Sequence, residues 1–322
     1  MLTFVVRRLL GLVAVMFVLS ILVFLIFFET PGVDPARLMA GRNPSPQTIA
    51  NIRHEFGLDR PLPVRYALMM KRMFITRDLI SYGSHTKVIP EILHATPVTL
   101  SLVFGAAVIW VVFSIALGLA AAVLRGTIWD PLLMVLALIG ISMPVFWLGE
   151  IVNLFTQSRW HNSFLFSWVP PLGYTPLTQD PVTWFEGLVF PWLTLSVLYV
   201  GFYARVLRAN LIETENEDYV RTARAKGISE RRVLVKHNLR TSMITFVSLF
   251  GLDFAALVAG GALLTEVVFG LPGVGKLTYD SLENLDLPII MATTMYASFF
   301  IVMANAVVDI LYGFLDPRVR VA

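Results

Sequence analysis

Three carboxylates stand inside or at the ends of long apolar runs: Glu150 within 131–156, and Asp253 and Glu266 within 244–269. A charge in hydrocarbon costs at least about 2.5–3.5 kcal/mol on insertion scales, so each needs a reason. Asp253 lies nine residues into its run, roughly 13 Å at helical rise and near mid-membrane. Ala256 and Gly260 follow at i+3 and i+7, a small-residue face that lets a second helix approach closely. Two roles stay open for Asp253: lining a pathway opposite a cationic group of a solute, or an interhelical hydrogen bond. Glu266, near the other end of the run, suits a gate or a turn, or contact with the solute. Glu150 faces either the interior or an interface. Asp309, near the end of the last apolar run, reads as structural.

Other chemistry is excluded. Gly270-Leu271-Pro272-Gly273-Val274-Gly275-Lys276-Leu277 nearly spells a phosphate-binding loop. Leu277, however, stands where a Mg²⁺-binding hydroxyl is needed, and no strand precedes the glycines. The segment reads as a turn, so no nucleotide site and no cofactor is expected in this chain. His54, His85, His94 and His161 are isolated, without a metal-ligand spacing. There is no cysteine, which removes disulfides, zinc-thiolate sites and thiol nucleophiles.

The elements that position the acids follow from composition. The chain has 322 residues, 57% hydrophobic and 15% charged; soluble domains average about 45–50% and about 25%. A spanning helix needs about 20 apolar residues. Runs of that kind cover 9–28, 98–124, 131–156 (broken by Pro144), 187–204, 244–269 and 289–314. The first is too long for a signal-peptide core and lacks a small-residue cleavage site, so it reads as a retained helix. The expectation is an all-α integral membrane protein of six transmembrane helices. Its divisions are an N-terminal helix 1–28, a larger external segment 29–97, and a five-helix core 98–322 that includes a cytoplasmic segment 205–243.

Lys and Arg set the orientation. With the N-terminus inside, the inner segments hold Arg7, Arg8, Arg125, the basic stretch from Arg205 to Arg240, Arg318 and Arg320. The short outer segments hold only Arg159 and Lys276. Segment 29–97 is basic as well, but external segments beyond about 60 residues translocate largely regardless of charge. Both termini are thus expected in the cytoplasm. Trp160, Trp168, Trp184 and Trp192 read as an outer aromatic belt. The basic residues mark topology, and no nucleic-acid partner is expected.

The inner segment carries the sharpest local pattern. Glu217 to Ala225 is rich in helix formers, with acids first and Lys226 last, matching the helix dipole. Gly227 stands where a helix stops. Ser229 can cap the next helix, with Glu230 in its first turn. Tyr219, Ala223 and Lys226 share a face, so the helices should present a tyrosine and small residues outward. On residue types alone this is either a basic loop against anionic lipid or a docking helix for a partner.

The order Asp218-Tyr219-Val220-Arg221-Thr222-Ala223-Arg224-Ala225-Lys226-Gly227, followed by His237, Leu239 and Arg240, closely resembles the coupling motif of ABC importer permeases of the dipeptide, oligopeptide and nickel type. The resemblance continues at Pro31-Gly32-Val33-Asp34-Pro35, Gly57-Leu58-Asp59-Arg60-Pro61, Thr96-Pro97-Val98-Thr99-Leu100, 266–275 and Leu315-Asp316-Pro317-Arg318-Val319-Arg320. Thr245 stands where the family has a proline, and Arg77-Asp78-Leu79-Ile80 replaces a glycine-bearing element.

The resemblance implies a type I importer permease in a bacterial inner membrane, one half of a translocation pathway for peptides or a related small solute. It implies a second, paralogous permease, two cytoplasmic ABC ATPases and an external substrate-binding protein, with ATP hydrolysis in the partners and none here. Asp218, Tyr219, Ala223, Arg224, Ala225, Lys226, Gly227, His237 and Arg240 would form the ATPase-coupling surface. An ion-coupled carrier using Asp253, Glu150 and Glu266 is the competing reading; it leaves the inner segment unexplained.

Overall fold

The structure, a computed structural model, describes residues 2–28, 34, 36–37, 40, 44–55 and 57–315. Pro31, Gly32, Val33, Pro35 and Asp316 to Arg320 lie outside these residues, as does the side chain of Asp309. Twelve helices are labelled here: α1 (Leu2–Phe28), α2 (Pro46–Glu55), α3 (Leu62–Met70), α4 (Val88–Val123), α5 (Trp129–Ser142), α6 (Val145–Arg159), α7 (Pro181–Thr214), α8 (Asp218–Ala225), α9 (Glu230–Gly261), α10 (Leu263–Val268), α11 (Val274–Glu283) and α12 (Leu287–Leu315). No strand occurs among the described residues; Ile80 and Lys87 form an isolated antiparallel bridge.

Four helices are long and apolar enough to cross a membrane: α4, α7, α9 and α12. The bent pair α5 and α6 makes a fifth. Reaching six requires adding α1, whose described apolar stretch is Leu10–Ile26. The 89° bend of the pair has a local cause. Pro144 fixes its own φ and drives the preceding residue out of the helical region, and Met143 is extended at ψ 125°. Asp180 starts α7 by accepting from the backbone N–H groups of Val182 (3.0 Å) and Thr183 (3.3 Å), with Pro181 in the first turn. The Thr183 hydroxyl and these amides hold the Asp180 carboxyl below the usual carboxylate range.

The chain forms two compact units. The first takes the described residues of 1–99, 255–263 and 272–322; the second takes 100–254 and 264–271. In the first, α1 packs along α12 over a core that includes Phe24, Met73, Tyr82, Ile290 and Met291. The Tyr66 ring meets Phe24 edge-on at 5.5 Å, and its hydroxyl lies 2.6 Å from that of Ser20, which fastens α3 to α1. Asp286, 4% exposed, closes the loop 80–87. Its carboxylate accepts from the N–H of Tyr82 (3.1 Å), the N–H of Gly83 (3.0 Å) and the Ser81 hydroxyl.

In the second unit, α5 and α6 pack on α7. A Cβ on Gly201 would stand 2.2 Å from the Ala137 carbonyl oxygen, and one on Gly105 would stand 2.0 Å from the Trp192 ring. Gly201 thus lets two helix backbones meet and Gly105 admits a ring, close contacts by which helices associate where lipid offers no hydrophobic drive. Trp192 is therefore not a belt residue, as its sequence neighbourhood suggested. It is buried and donates its indole N–H to the Ser101 carbonyl at 2.9 Å. Arg208 and Asp130 form a two-pronged ion pair at 2.6 Å in each contact, joining α7 to the start of α5.

Replacing Asp286 with alanine should strip the acceptor from buried amides and cost about 2 kcal/mol or more. The expected result is a lower melting temperature in detergent and new tryptic cleavage at Arg77 or Lys87.

Candidate functional site

The inner segment folds as a helical hairpin whose corner is set by backbone chemistry. The helix α8 ends in a two-bond cap: the Gly227 N–H donates to the Arg224 carbonyl (2.9 Å) and the Ile228 N–H to the Ala223 carbonyl (3.3 Å). This pattern needs a left-handed residue between them, and Gly227 has φ +74°. Nothing lies within 4 Å of a Cβ placed there, so the requirement is conformational and not steric. Ser229 occupies the N-cap position of α9 through its backbone alone. Its carbonyl accepts from Arg232 (2.8 Å) and Val233 (3.0 Å), and its side chain makes no cap bond, unlike the role expected of it.

The hairpin has its own small core of Val220, Ala223 and Val233, with Ile228 against it. Ala223 is 5% exposed. The expectation that it presents outward is corrected: it is the packing residue that brings α8 onto α9. The outward surface consists of Asp218, Tyr219, Ala225, Lys226 and Gly227, with Arg240 exposed and His237 half-buried. Tyr219, 40% exposed, donates its hydroxyl to Thr241 Oγ1 at 3.2 Å.

Arg224 braces the corner. Its Nε donates to Glu230 Oε1 (2.8 Å) and its Nη2 to Glu230 Oε2 (3.1 Å) and to Glu215 Oε1 (3.0 Å). The guanidinium fork thus spans the glycine turn and reaches the foot of α7. The two carboxylates, Glu230 foremost, hold the guanidinium pKa above its ordinary value. A second tie joins Thr214 to Ser242 through their hydroxyls at 3.3 Å. Sequence reasoning placed Arg224 on the coupling surface but missed the brace. Glu215 and Glu230 lie on opposite sides of a turn, and helical spacing cannot pair them.

The intramembrane acids take separate places. Asp253 accepts a 2.6 Å hydrogen bond from the Tyr203 hydroxyl, a partner fifty residues away that no spacing rule indicates. Glu266 is fully buried in α10. Its backbone carbonyl accepts from the Leu271 N–H (2.8 Å) while the Gly270 N–H bonds to Val267 (3.2 Å), the same two-bond cap with Gly270 at φ +65°. Gly270 of the false phosphate loop is thus a helix stop, Gly273 is the N-cap of α11, and Gly275 lies inside that helix. Glu150 is exposed on α6 and does not join Asp253. The helix α9 ends at Gly260, where φ is +115°.

Apolar helices of membrane-spanning length are thus joined to a stiff polar hairpin. Residues 114–321 match the family model of the binding-protein-dependent transport system inner membrane component, and residues 1–103 match its N-terminal companion. The chain belongs to this family. It is 37% identical over 315 residues to a protein of Brucella abortus (strain 2308) named as a peptide transport system permease, covering 98% of each chain. It is 36% identical over 319 residues to the peptide ABC transporter permease y4tP of Sinorhizobium fredii, covering 98% of this chain and 99% of the other. It is 38% identical over 321 residues to the glutathione transport permease GsiC of Escherichia coli (strain K12), covering 99% of each. The chain is a multi-pass, transmembrane subunit of an ABC importer and is not itself an enzyme.

Replacing Arg224 with alanine should cost no more than about 1 kcal/mol, because the ion pairs are exposed, yet it loosens the corner. ATPase subunits should still co-purify, while solute transported per ATP hydrolysed falls severalfold. Arg224→Lys, which keeps the charge and loses the fork, should fall between.

Proposed function

We propose that this chain forms one half of the pathway of an ATP-driven importer of peptides or a related small solute. The observation that carries this reading is the hairpin: a buried Val220–Ala223–Val233 core, a glycine-set corner and an exposed Tyr219, Ala225 and Lys226. That is a rigid knob shaped for a groove in another protein. A loop bound loosely to lipid needs neither a core nor a cap. The peptide class is supported by the names of relatives that match nearly the whole chain.

In this reading six spans place both termini in the cytoplasm of a bacterial inner membrane, with α1 and the bent pair α5–α6 each counted once. A second permease of related sequence completes the pathway. Two cytoplasmic ATPases grip the two hairpins and draw them together on ATP binding, and an external binding protein delivers the solute. A helix held by packing transmits such a displacement, which a loose segment would absorb. The coupling surface consists of Asp218, Tyr219, Ala225, Lys226 and Gly227, with His237 and Arg240 at its edge. Ala223 and Arg224 hold its shape.

The test uses the exposed positions. Ala225→Trp and Tyr219→Ala should leave insertion and thermal stability unchanged but release the ATPases on purification in mild detergent. Vanadate should stop uptake by the intact complex. Full ATPase retention by Ala225→Trp, or uptake that ignores vanadate and follows an ion gradient, would reject the reading in favour of an ion-coupled carrier.

A further inference from the structure

Asp253 does not stand alone in the span. On α9, Phe250 precedes it by one turn and Phe246 by two; on α7, Tyr199 precedes Tyr203 by one turn. Tyr203 is fully buried and meets Phe246 edge-on at 4.8 Å. Trp110 of α4 is also fully buried and backs the group, stacked on Tyr199 at 4.5 Å and 5.1 Å from Phe250. The outer members of the cluster, Asp253, Tyr199 and Phe250, remain partly exposed. One carboxylate oxygen of Asp253 takes the Tyr203 hydroxyl; the other takes no hydrogen bond from a described residue. Among the described residues no Lys, Arg or His forms an ion pair with it.

An acid within a span, held in place by one hydroxyl at the edge of an aromatic cluster, offers a defined set of chemistry. It has too few oxygen ligands for Mg²⁺ or Ca²⁺, which take six or more. It repels anions. It suits an organic cation that gives one hydrogen bond to a carboxylate and lies against ring faces. Tyr203 orients the carboxylate without neutralising it, and the buried indole of Trp110 fixes the Tyr199 ring.

We propose that Asp253, Tyr203, Tyr199 and Phe250 form a site for a protonated primary amino group of the transported solute. The site rests on the importer reading and narrows its substrate: the solute carries a free ammonium group, as the N-terminus of an unmodified peptide does. Asp253 binds the ammonium; Tyr203 is a positioning residue.

The test uses the complete importer, with both permeases, ATPases and binding protein, in proteoliposomes supplied with ATP. Uptake of trialanine and of N-acetyl-trialanine is compared between Asp253→Asn and wild type, so that the selectivity of the binding protein cancels in each ratio. Trialanine uptake should fall about tenfold or more, the smaller end of what a hydrogen bond to a charged group supplies. The ratio for N-acetyl-trialanine should stay near one. Asp253→Glu should restore part of the difference, and Tyr203→Phe, which keeps the acid, should show a smaller selective loss. Equal losses for both peptides, or no loss for either, overturn the site and leave an interhelical hydrogen bond. If Asp253→Asn fails to assemble, wild type decides: n-butylammonium should inhibit trialanine uptake and n-butanol should not, and equal inhibition overturns the site. Absence of ATP-driven uptake in wild type strikes the importer reading instead.

Discussion

Hydrocarbon supplies no hydrogen-bond partner, and at four places in this chain a polar group that leaves water finds one on a distant segment, although the buried Trp110 indole N–H and Thr194 hydroxyl have none among the described residues. Asp253 takes the Tyr203 hydroxyl and Asp130 takes both prongs of Arg208. The Trp192 indole reaches the Ser101 carbonyl, and Asn153 donates to the Val268 carbonyl at 2.9 Å. Each pairing joins two segments far apart in sequence, so satisfying the polar group also fixes how the helices stand. Close contact works beside the polar ties on the same helix pairs, at Gly105 against Trp192 and at Gly201 against Ala137. Polar ties set register, and small residues set distance.

The hairpin obeys the same constraint outside the lipid, with less to work with. Two helical arms and a turn can bury only Val220, Ala223, Val233 and part of Ile228, far too little apolar surface to be stable alone. Stiffness therefore comes from attachment. The cap at Gly227 fixes the corner, Arg224 joins the corner to Glu215, and Thr214 meets Ser242. Any single tie is worth little in water. Together they leave the arms few ways to move relative to α7.

What could be read from the sequence was local. Apolar run length gave the four long helices and the bent pair, Pro144 the break, and Gly227 the helix stop, because each depends on residues within one or two turns. The direction of Ala223 was misjudged although a signal was present. Val220 and Ala223 lie three apart, with Ile228 and Val233 beyond the turn, and that apolar set marks the inner face better than the Tyr219–Ala223–Lys226 stripe. Tyr203 as the partner of Asp253, and Glu215 with Glu230 as partners of Arg224, were out of reach. Pairings across a turn or between helices depend on how helices rotate against each other, which periodicity within one helix does not contain. The 89° angle at Pro144 was hidden for the same reason: proline dictates a break but not its size.

The helix α9 joins the polar hairpin to Asp253. It begins at Glu230, the acid gripped by Arg224, passes Thr241, the partner of Tyr219, and reaches Asp253 before its break at Gly260. From Glu230 to Asp253 the rise is roughly 35 Å, covered by one helix with no proline inside it. A wide turn at Val233–Asn238 lies at its foot, and such turns mark places where helices yield or do work. Displacement of the hairpin therefore reaches Asp253 along a single backbone, without relay through side-chain contacts. Beyond Gly260 the helix direction is lost, so the motion need not be passed on to α10. Because Arg224–Glu215 and Thr214–Ser242 hold the hairpin to the foot of α7, the Tyr203–Asp253 hydrogen bond between α7 and α9 lies on two helices tied together at their base.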